Sequence, residues 1–259
     1  MTEKTTEPPG GTGPAPPRAT RREWLGLAVI ALPCMLYAMD LTVLNLALPR
    51  IAADLQPSSA TLLWIVDIYG FFVAGLLITM GNLGDRIGRR RLLLIGATAF
   101  GIASVIAATS RTTGMLITAR AVLGIAGATL APSTLSLIRN MFLEPRQRTV
   151  AIGVWTASYS IGGAVGPLLG GAILQRSHWG SVFLLAVPIM ALLLVTGPRL
   201  LPESRTPTGA GWIPLLSVLV GIGAGAMFVH RQRRLADPLI ELVCSAGARS
   251  ASRWRCICS

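Results

Sequence analysis

Residues 61–91 read TLLWIVDIYGFFVAGLLITMGNLGDRIGRRR, and this stretch decides the class of fold. Its apolar part, 61–83, holds a single ionisable side chain, Asp67. As a helix it is long enough to cross a hydrocarbon core of about 30 Å. The glycines and arginines that follow are typical of a tight, basic connection. The stretch therefore predicts a membrane helix that ends in a charged turn.

The same pattern recurs along the 259-residue chain. Hydrophobic residues make up 52% of it and charged residues only 13%, against roughly 25% charged in a soluble domain. This composition argues against a soluble enzyme, a disordered chain and a disulfide scaffold. Because the sequence lacks the regular alternation of apolar and polar residues that a membrane β-barrel requires, we predict an all-α polytopic membrane protein. Its predicted spans are 24–48, 61–83, 92–109, 113–137, 150–174, 181–200 and 212–229.

The distribution of cations predicts the topology. The chain has 23 Lys plus Arg against 11 Asp plus Glu, a net charge of +12, and such cations favour cytoplasmic connections. Through the first six spans, connections rich and poor in these cations alternate. The charge therefore indicates a membrane protein with a cytoplasmic N-terminus rather than a nucleic-acid partner. The cation-rich, cytoplasmic connections are 84–91, 138–149 and 201–211.

The alternation fails beyond the sixth span. A seventh span at 212–229 would place a basic cluster on the outer side. Either one crossing is missing between 201 and 212, or the last helix is weakly oriented. We predict a disordered cytoplasmic tail at 1–23, a six-helix unit at 24–203, a linker with one further helix and a basic segment at 204–243, and an aberrant tail at 244–259. The cluster comprises His230, Arg231, Arg233 and Arg234.

Three ionisable residues, Asp40, Asp67 and Arg120, lie inside predicted spans. Each costs about 2.5 to 3.5 kcal/mol on insertion scales, so each is a functional candidate. Asp40 is either a proton-coupling or cation-binding carboxylate or a helix–helix hydrogen bond. Asp67 is either a second proton-coupling or cation-binding carboxylate, or a side chain that simply reaches water near the outer membrane surface. Arg120 either forms a charge relay with Asp40 or with polar backbone, or extends its side chain to the interface.

Two aromatic residues of the second span, Trp64 and Tyr69, are possible substrate contacts. Their rings could stack on a cationic drug. The alternative is that they anchor the helix at the membrane interface, where aromatic residues are frequent.

Residues 81–91, GNLGDRIGRRR, form the connection between the second and third spans. Gly81, Gly84 and Gly88 allow two helix ends to approach closely, and Asp85 can pair with a nearby Arg or a helix N-terminus. The connection serves either as a gate or only as a charged turn that orients the protein.

Residues 162–171, GGAVGPLLGG, place small side chains on one face of the fifth span. Gly162, Gly166 and Gly170 are four residues apart, which is the spacing that close helix–helix contact requires. Pro167 adds a kink.

Three stretches of the chain resemble motifs of the major facilitator superfamily, a superfamily of membrane transporters. Residues 81–91 are similar to its G-x-L-a-D-r-x-G-r-k-r signature, and 116–128 to its fourth-helix motif around the central Arg, here Arg120. Residues 162–171 resemble the g-x-x-x-G-P-x-x-G-G motif that is typical of antiporters rather than uptake symporters.

Two further stretches resemble one branch of that superfamily. Residues 40–49, DLTVLNLALP, are similar to the l-D-x-T-v-x-N-x-A-l-P motif of the drug:proton antiporters with fourteen helices. Residues 64–69, WIVDIY, resemble the branch that exports quaternary ammonium compounds and other lipophilic cations.

The resemblance implies a six-helix N-terminal half of a proton-coupled multidrug efflux antiporter in the inner membrane. Protons and small lipophilic cations would compete for Asp40, and the proton gradient would supply the energy. It also implies roles for two groups of residues. The gating loop comprises Gly81, Asp85, Arg86, Gly88, Arg89 and Arg90, and the antiporter packing motif comprises Gly162, Gly166, Pro167, Gly170 and Gly171.

Other interpretations stay open because the resemblance covers one half of the family pattern. We expect a truncated or frameshifted C-terminus, so that transport needs a second copy or a full-length relative. The chain is otherwise a non-transporting product or an interaction module. A metabolite uptake symporter is less favoured. We expect no enzymatic activity, no cofactor and no metal site, since no nucleotide-binding motif is present and Cys256 and Cys258 lack a second ligand pair.

Overall fold

A computed structural model describes residues 17–203, and within this range every regular element is an α-helix. The last two helices together form one membrane span, Ser181–Leu200. The all-α prediction and the first six predicted spans are thus confirmed. The predicted span at 212–229, the charge anomaly and the C-terminal tail lie outside the described residues. The helices are α1 (Arg21–Leu55), α2 (Ser59–Ile87), α3 (Arg89–Ala108), α4 (Thr113–Met141), α5 (Pro145–Arg176), α6 (Ser181–Leu184) and α7 (Ala186–Leu200).

Polar side chains at the helix starts explain why several helices extend beyond their apolar cores. α1 begins with a capping box, in which the Glu23 carboxylate accepts a hydrogen bond from the Thr20 backbone N–H at 2.7 Å. The side chains of Ser58, Thr112 and Glu144 accept backbone N–H groups at the starts of α2, α4 and α5. Hydropathy identifies only the apolar part of each helix, so the polar turns at the helix ends lie outside the predicted spans.

The connection between α2 and α3 is shorter than the sequence predicted. Residues 84–87 are still helical, and Gly88 alone separates Ile87 from Arg89. Gly88 has a φ of 107°, a conformation that side chains rarely adopt, which explains the glycine at this joint. The predicted basic turn is therefore a one-residue break between two helices.

The helices pack in two groups that α1 and α3 connect. α2 and α3 lie against α4, α5 lies against α1, and α7 lies against α3 and α1. In the most apolar part of α4, 61% of the residues are buried, whereas the corresponding value for α2 is 17%. α4 is therefore the most buried helix of the described bundle, and α2 is the least buried.

Polar contacts close the two ends of the bundle. At the end where α1 finishes, the Asp54 carboxylate accepts hydrogen bonds from the Trp179 indole N–H at 2.7 Å and from the His178 ring at 3.2 Å. At the opposite end, Arg22 donates to the Arg199 carbonyl at 2.5 Å. The end of α1 thus lies beside the connection between α5 and α6. The start of α1 lies beside the end of α7.

Candidate functional site

A buried ion pair joins α1 to α4. Arg120 Nη1 lies 2.5 Å from Asp40 Oδ2, and the two side chains are 1% and 11% exposed. The sequence marked both residues as candidates and named Asp40 among the possible partners of Arg120. The structure brings them together although 80 residues separate them in the chain.

α2 completes the surroundings of the Arg120 guanidinium. Its Nε donates a hydrogen bond to the Ile65 carbonyl oxygen at 3.2 Å, and its central carbon lies 4.5 Å from the centre of the Tyr69 ring. The cation thus meets a carboxylate, a backbone carbonyl and a π-face. Such multiple contacts offset the cost of removing a guanidinium from water.

The structure places Tyr69 differently from the predicted substrate contact. Tyr69 is fully buried, because α2 turns this side chain towards α4 rather than towards the uncovered surface. Its hydroxyl has no hydrogen-bond partner among the described residues. Tyr69 is therefore part of the surroundings of the ion pair. Trp64 is partly exposed, so its predicted roles both stay open.

A row of aromatic side chains continues from Tyr69 through the bundle. The Tyr69 and Tyr37 ring centres are 5.9 Å apart, and those of Tyr37 and Tyr159 are 5.8 Å apart. Trp155 lies 5.0 Å from Tyr159 and donates its indole N–H to Thr134 Oγ1 at 3.0 Å. Tyr37, Trp155 and Tyr159 were not among the residues predicted from the sequence. The available signal was spacing, since Tyr37 is one turn from Asp40, and Trp155 and Tyr159 are one turn apart.

A small apolar crevice lies beside Asp40, between α1, α3 and the sixth span. It has room for about one water molecule. Apart from Asp40, its lining is apolar, so the carboxylate lies in a poorly polar environment. The other lining residues are Leu36, Met39, Val43, Leu44, Phe100, Val182, Phe183 and Ala186.

Asp67 lies apart from this site. Its side chain is exposed on α2, and it has no hydrogen-bond or ion-pair partner within residues 17–203. The backbone of Ile65 nevertheless contacts Arg120. One helix therefore presents a backbone acceptor to the buried cation and a free carboxylate to the uncovered surface.

The predicted gating loop links four helices. Asp85 Oδ1 lies 2.6 Å from Arg89 Nη2, and Arg89 also donates to the Pro132 carbonyl of α4 at 3.4 Å. Gly84 permits this arrangement, since a β-carbon there would lie 2.9 Å from Arg89 Cδ. Arg90 donates to the Leu201 carbonyl at 3.1 Å, just beyond α7. The predicted pairing of Asp85 with a nearby Arg is thus present. Gly81 lies near Pro132, and Arg86 is exposed.

The packing motif forms the α1–α5 contact. β-carbons added at Gly162 and Gly166 would lie 2.1 Å from the Met35 carbonyl oxygen and 2.3 Å from Thr42 Oγ1. One added at Gly170 would lie 2.8 Å from Val43 Cγ1. The predicted close approach of one face is therefore present. On the opposite side, Gly171 has nothing within 4 Å of such a carbon, and Pro167 is exposed within a continuous helix.

Comparisons with known proteins agree with this architecture. The sequence profile of the Major Facilitator Superfamily matches residues 30–212. The chain is 47% identical to the multidrug efflux pump LfrA of Mycolicibacterium smegmatis, over 88% of this chain and 51% of LfrA. It is 46% identical to the methyl viologen resistance protein SmvA of Salmonella typhimurium, over 70% of this chain and 37% of SmvA. The puromycin resistance protein pur8 of Streptomyces alboniger is 36% identical over 85% of this chain and 44% of pur8. The chain thus spans about half the length, or less, of these curated relatives.

Proposed function

Because the chain belongs to the Major Facilitator Superfamily, we propose that it takes part in proton-coupled export of lipophilic cationic drugs across the cytoplasmic membrane. The names of its relatives, a multidrug efflux pump, a methyl viologen resistance protein and a puromycin resistance protein, support export of drugs and other toxic compounds. The energy comes from the proton gradient, without a cofactor. The observation that carries the proposal is the buried Asp40–Arg120 pair.

This pair can exchange a proton for a cation. An ionised Asp40 binds Arg120 directly, whereas a protonated Asp40 no longer offers a full negative charge. A cationic substrate that competes for the same carboxylate favours release of its proton. Because the pair is nearly inaccessible to water, each change of charge has a large energetic effect.

Arg120 keeps two of its contacts when Asp40 is protonated. The Ile65 carbonyl and the Tyr69 ring belong to α2 and do not depend on the carboxylate. The guanidinium therefore stays bound between α2 and α4 while its bond to α1 weakens. We propose that this change lets α1, together with α5 packed on its glycine face, shift relative to α4.

The gating residues would respond at the cytoplasmic end. Arg89 ties the end of α2 to α4, and Arg90 ties α3 to the end of α7. We place this end and the N-terminus in the cytoplasm because most of the cations lie there. Asp85 holds Arg89 in place, so loss of this ion pair would release the end of α2 from its link through Arg89 to α4.

The substrate site needs a second half. Transporters of this superfamily bind substrate near the midplane between two repeats. The uncovered surfaces of α2, which carries Asp67, and of α5 are the natural surfaces for a facing half. That half comes from a longer chain, a second copy of this chain or a full-length relative. Asp67 then lies between the halves, where it can attract a cation.

The decisive test is dye transport in proteoliposomes. The full chain, reconstituted with an imposed pH gradient, should move ethidium faster than empty liposomes. Asp40→Asn should abolish the movement, because it removes the charge that protons and dye share. Asp54→Asn is the matched control, since it changes a carboxylate of the same helix at the end of the bundle. Unchanged movement in Asp40→Asn would exclude this carboxylate from the mechanism.

A wild-type chain that moves no dye would overturn unaided transport. Co-purification with a full-length relative would then favour the interaction module, because the chain spans about half of its relatives. Restored dye movement on co-reconstitution with that relative, dependent on Asp40 of this chain, would show that the half takes part in transport.

A further inference from the structure

α3 and α7 pack side by side, and each leaves one apolar stripe uncovered. On α3 the stripe contains Ile95 and Ile102, which are 59% and 58% exposed. On α7 it contains Leu192 and Val195, which are 44% and 63% exposed. In a membrane-spanning bundle such surfaces contact lipid chains.

Both stripes end in an arginine at the same end of the bundle. Arg91 precedes Ile95 by one helical turn, and Arg199 follows Val195 by one turn. The contact between Arg90 and the carbonyl of Leu201, at 3.1 Å, shows that the start of α3 adjoins the end of α7. A basic group thus caps each apolar stripe at one level of the membrane.

The charges at this end do not balance. Within residues 17–203 two carboxylates form ion pairs at the start of α3: Asp85 lies 2.6 Å from Arg89, and Glu203 lies 3.3 Å from Arg90 Nε. Glu203 also lies 3.8 Å from Arg91, whose side chain is still 62% exposed. Arg199 is exposed, and its guanidinium has no partner within the described range. Asp85 and Glu203 bind Arg89 and Arg90 most closely, so most of the positive charge of Arg91 and that of Arg199 is not balanced by a described carboxylate.

We propose that this end of the α3–α7 pair binds an anionic phospholipid. The phosphate lies between Arg91 and Arg199, whose guanidinium groups suit phosphate oxygens. The acyl chains lie along the stripes of Ile95, Ile102 and Val195, which a soluble anion cannot use. Basic pockets between membrane helices recognise anionic headgroups in this way.

Lipid retention on the purified full chain tests this proposal without any transport measurement, so its outcome is independent of the proposed function. Native mass spectrometry would count phosphatidylglycerol molecules bound after purification in a zwitterionic detergent. We expect at least one to be retained and phosphatidylcholine not to replace it. In the double variant Arg91→Gln/Arg199→Gln, affinity should fall by about tenfold or more.

A matched double variant separates a site from general attraction. Arg139→Gln/Arg146→Gln removes two exposed arginines from the ends of α4 and α5 that lie at the same end of the bundle. It should retain the lipid. Equal loss in both double variants would overturn the site, because net charge alone would then explain binding. Equally tight binding of soluble glycerol phosphate, counted in the same way, would also overturn it, because the acyl chains would then contribute nothing.

Folding of the first variant is checked by its melting temperature in phosphatidylcholine, which should match that of the wild type. If the variant unfolds, Arg91→Lys/Arg199→Lys provides the second test. It keeps the charge but loses the planar fork, so it should retain phosphatidylglycerol more weakly than the wild type. Retention at full strength would contradict a phosphate held by guanidinium groups.

Discussion

α4 and α2 each carry an ionisable side chain about two turns from their N-terminal ends, but the two side chains have opposite surroundings. Arg120 of α4 is fully buried and bound by α1 and α2. Asp67 of α2 is exposed and has no partner within residues 17–203. The helices differ accordingly, since α4 is the most buried span and α2 the least.

The face of the helix on which a charge lies, rather than its distance from the start of the helix, therefore decides what the charge can do. A charge on a packed face is fixed by its partners, so its removal weakens the fold. A charge on an uncovered face is free to meet water or a ligand. Changes at packed and uncovered positions should therefore separate stability from function.

Arg120→Leu should have the largest effect on stability. It leaves the Asp40 carboxylate buried beside an apolar side chain, and removing one partner of a buried pair costs about 3 to 5 kcal/mol. The free energy of unfolding, measured by titration with SDS in mixed micelles, should fall accordingly. The double variant Asp40→Asn/Arg120→Leu should recover part of this loss. If the double variant lost more free energy of unfolding than the two single variants together, that result would contradict the pairing.

Gly162→Ala should destabilise by about 1 to 3 kcal/mol. Its new β-carbon would lie 2.1 Å from the Met35 carbonyl oxygen, so α1 and α5 must separate. Gly163→Ala is the matched control on the same helix, because nothing lies within 4 Å of its β-carbon. The same titration should show no loss for this control. Similar losses for both variants would mean that the α1–α5 contact does not depend on the glycine face.

Tyr69→Phe should be neutral or stabilise by about 1 kcal/mol. It keeps the ring beneath Arg120 and removes a buried hydroxyl that has no partner in the described range. Tyr69→Leu should destabilise instead, because the cation loses the π-face. Melting temperatures in detergent would compare the two variants. Marked destabilisation by Tyr69→Phe would show that the hydroxyl has a partner.

Asp67→Asn should have the smallest destabilising effect, because the carboxylate is exposed and its removal breaks no contact within residues 17–203. Ethidium movement in proteoliposomes should nevertheless fall if the uncovered surface of α2 faces the substrate. Gln56→Glu, which adds an exposed carboxylate before α2, is a control for general charge. Loss of stability on Asp67→Asn would show that this carboxylate is not free.

The spans could be predicted from the sequence because the bilayer imposes a length on every apolar stretch. α1 shows where this signal ends. The predicted span stops before Pro49, whereas the helix continues to Leu55. Hydropathy identifies the apolar part of a helix. The backbone hydrogen bonds that continue the helix beyond it do not require apolar residues, so hydropathy does not show them.

The candidate site was predicted in part. Asp40 and Arg120 were marked because a charge within a span is costly, and this cost can be read from the sequence. The burial of Tyr69 beside Arg120 and the role of Tyr37 in the aromatic row were not predicted, and both have the same reason. Lipid is as apolar as the interior of the bundle, so buried and lipid-facing sides of a helix have similar compositions. The sequence therefore does not show which side of α2 faces α4.

The single residue Gly88 between α2 and α3 has a mechanical consequence. α2 has 29 residues, so it is a rod of about 43 Å whose end is fixed to the start of α3 without slack. Tilting this rod must displace α3, and α3 carries α7 through Arg90. A movement that began beside Asp67 would therefore be transmitted along α2 to the other end of the bundle, where Arg91 and the proposed lipid site lie.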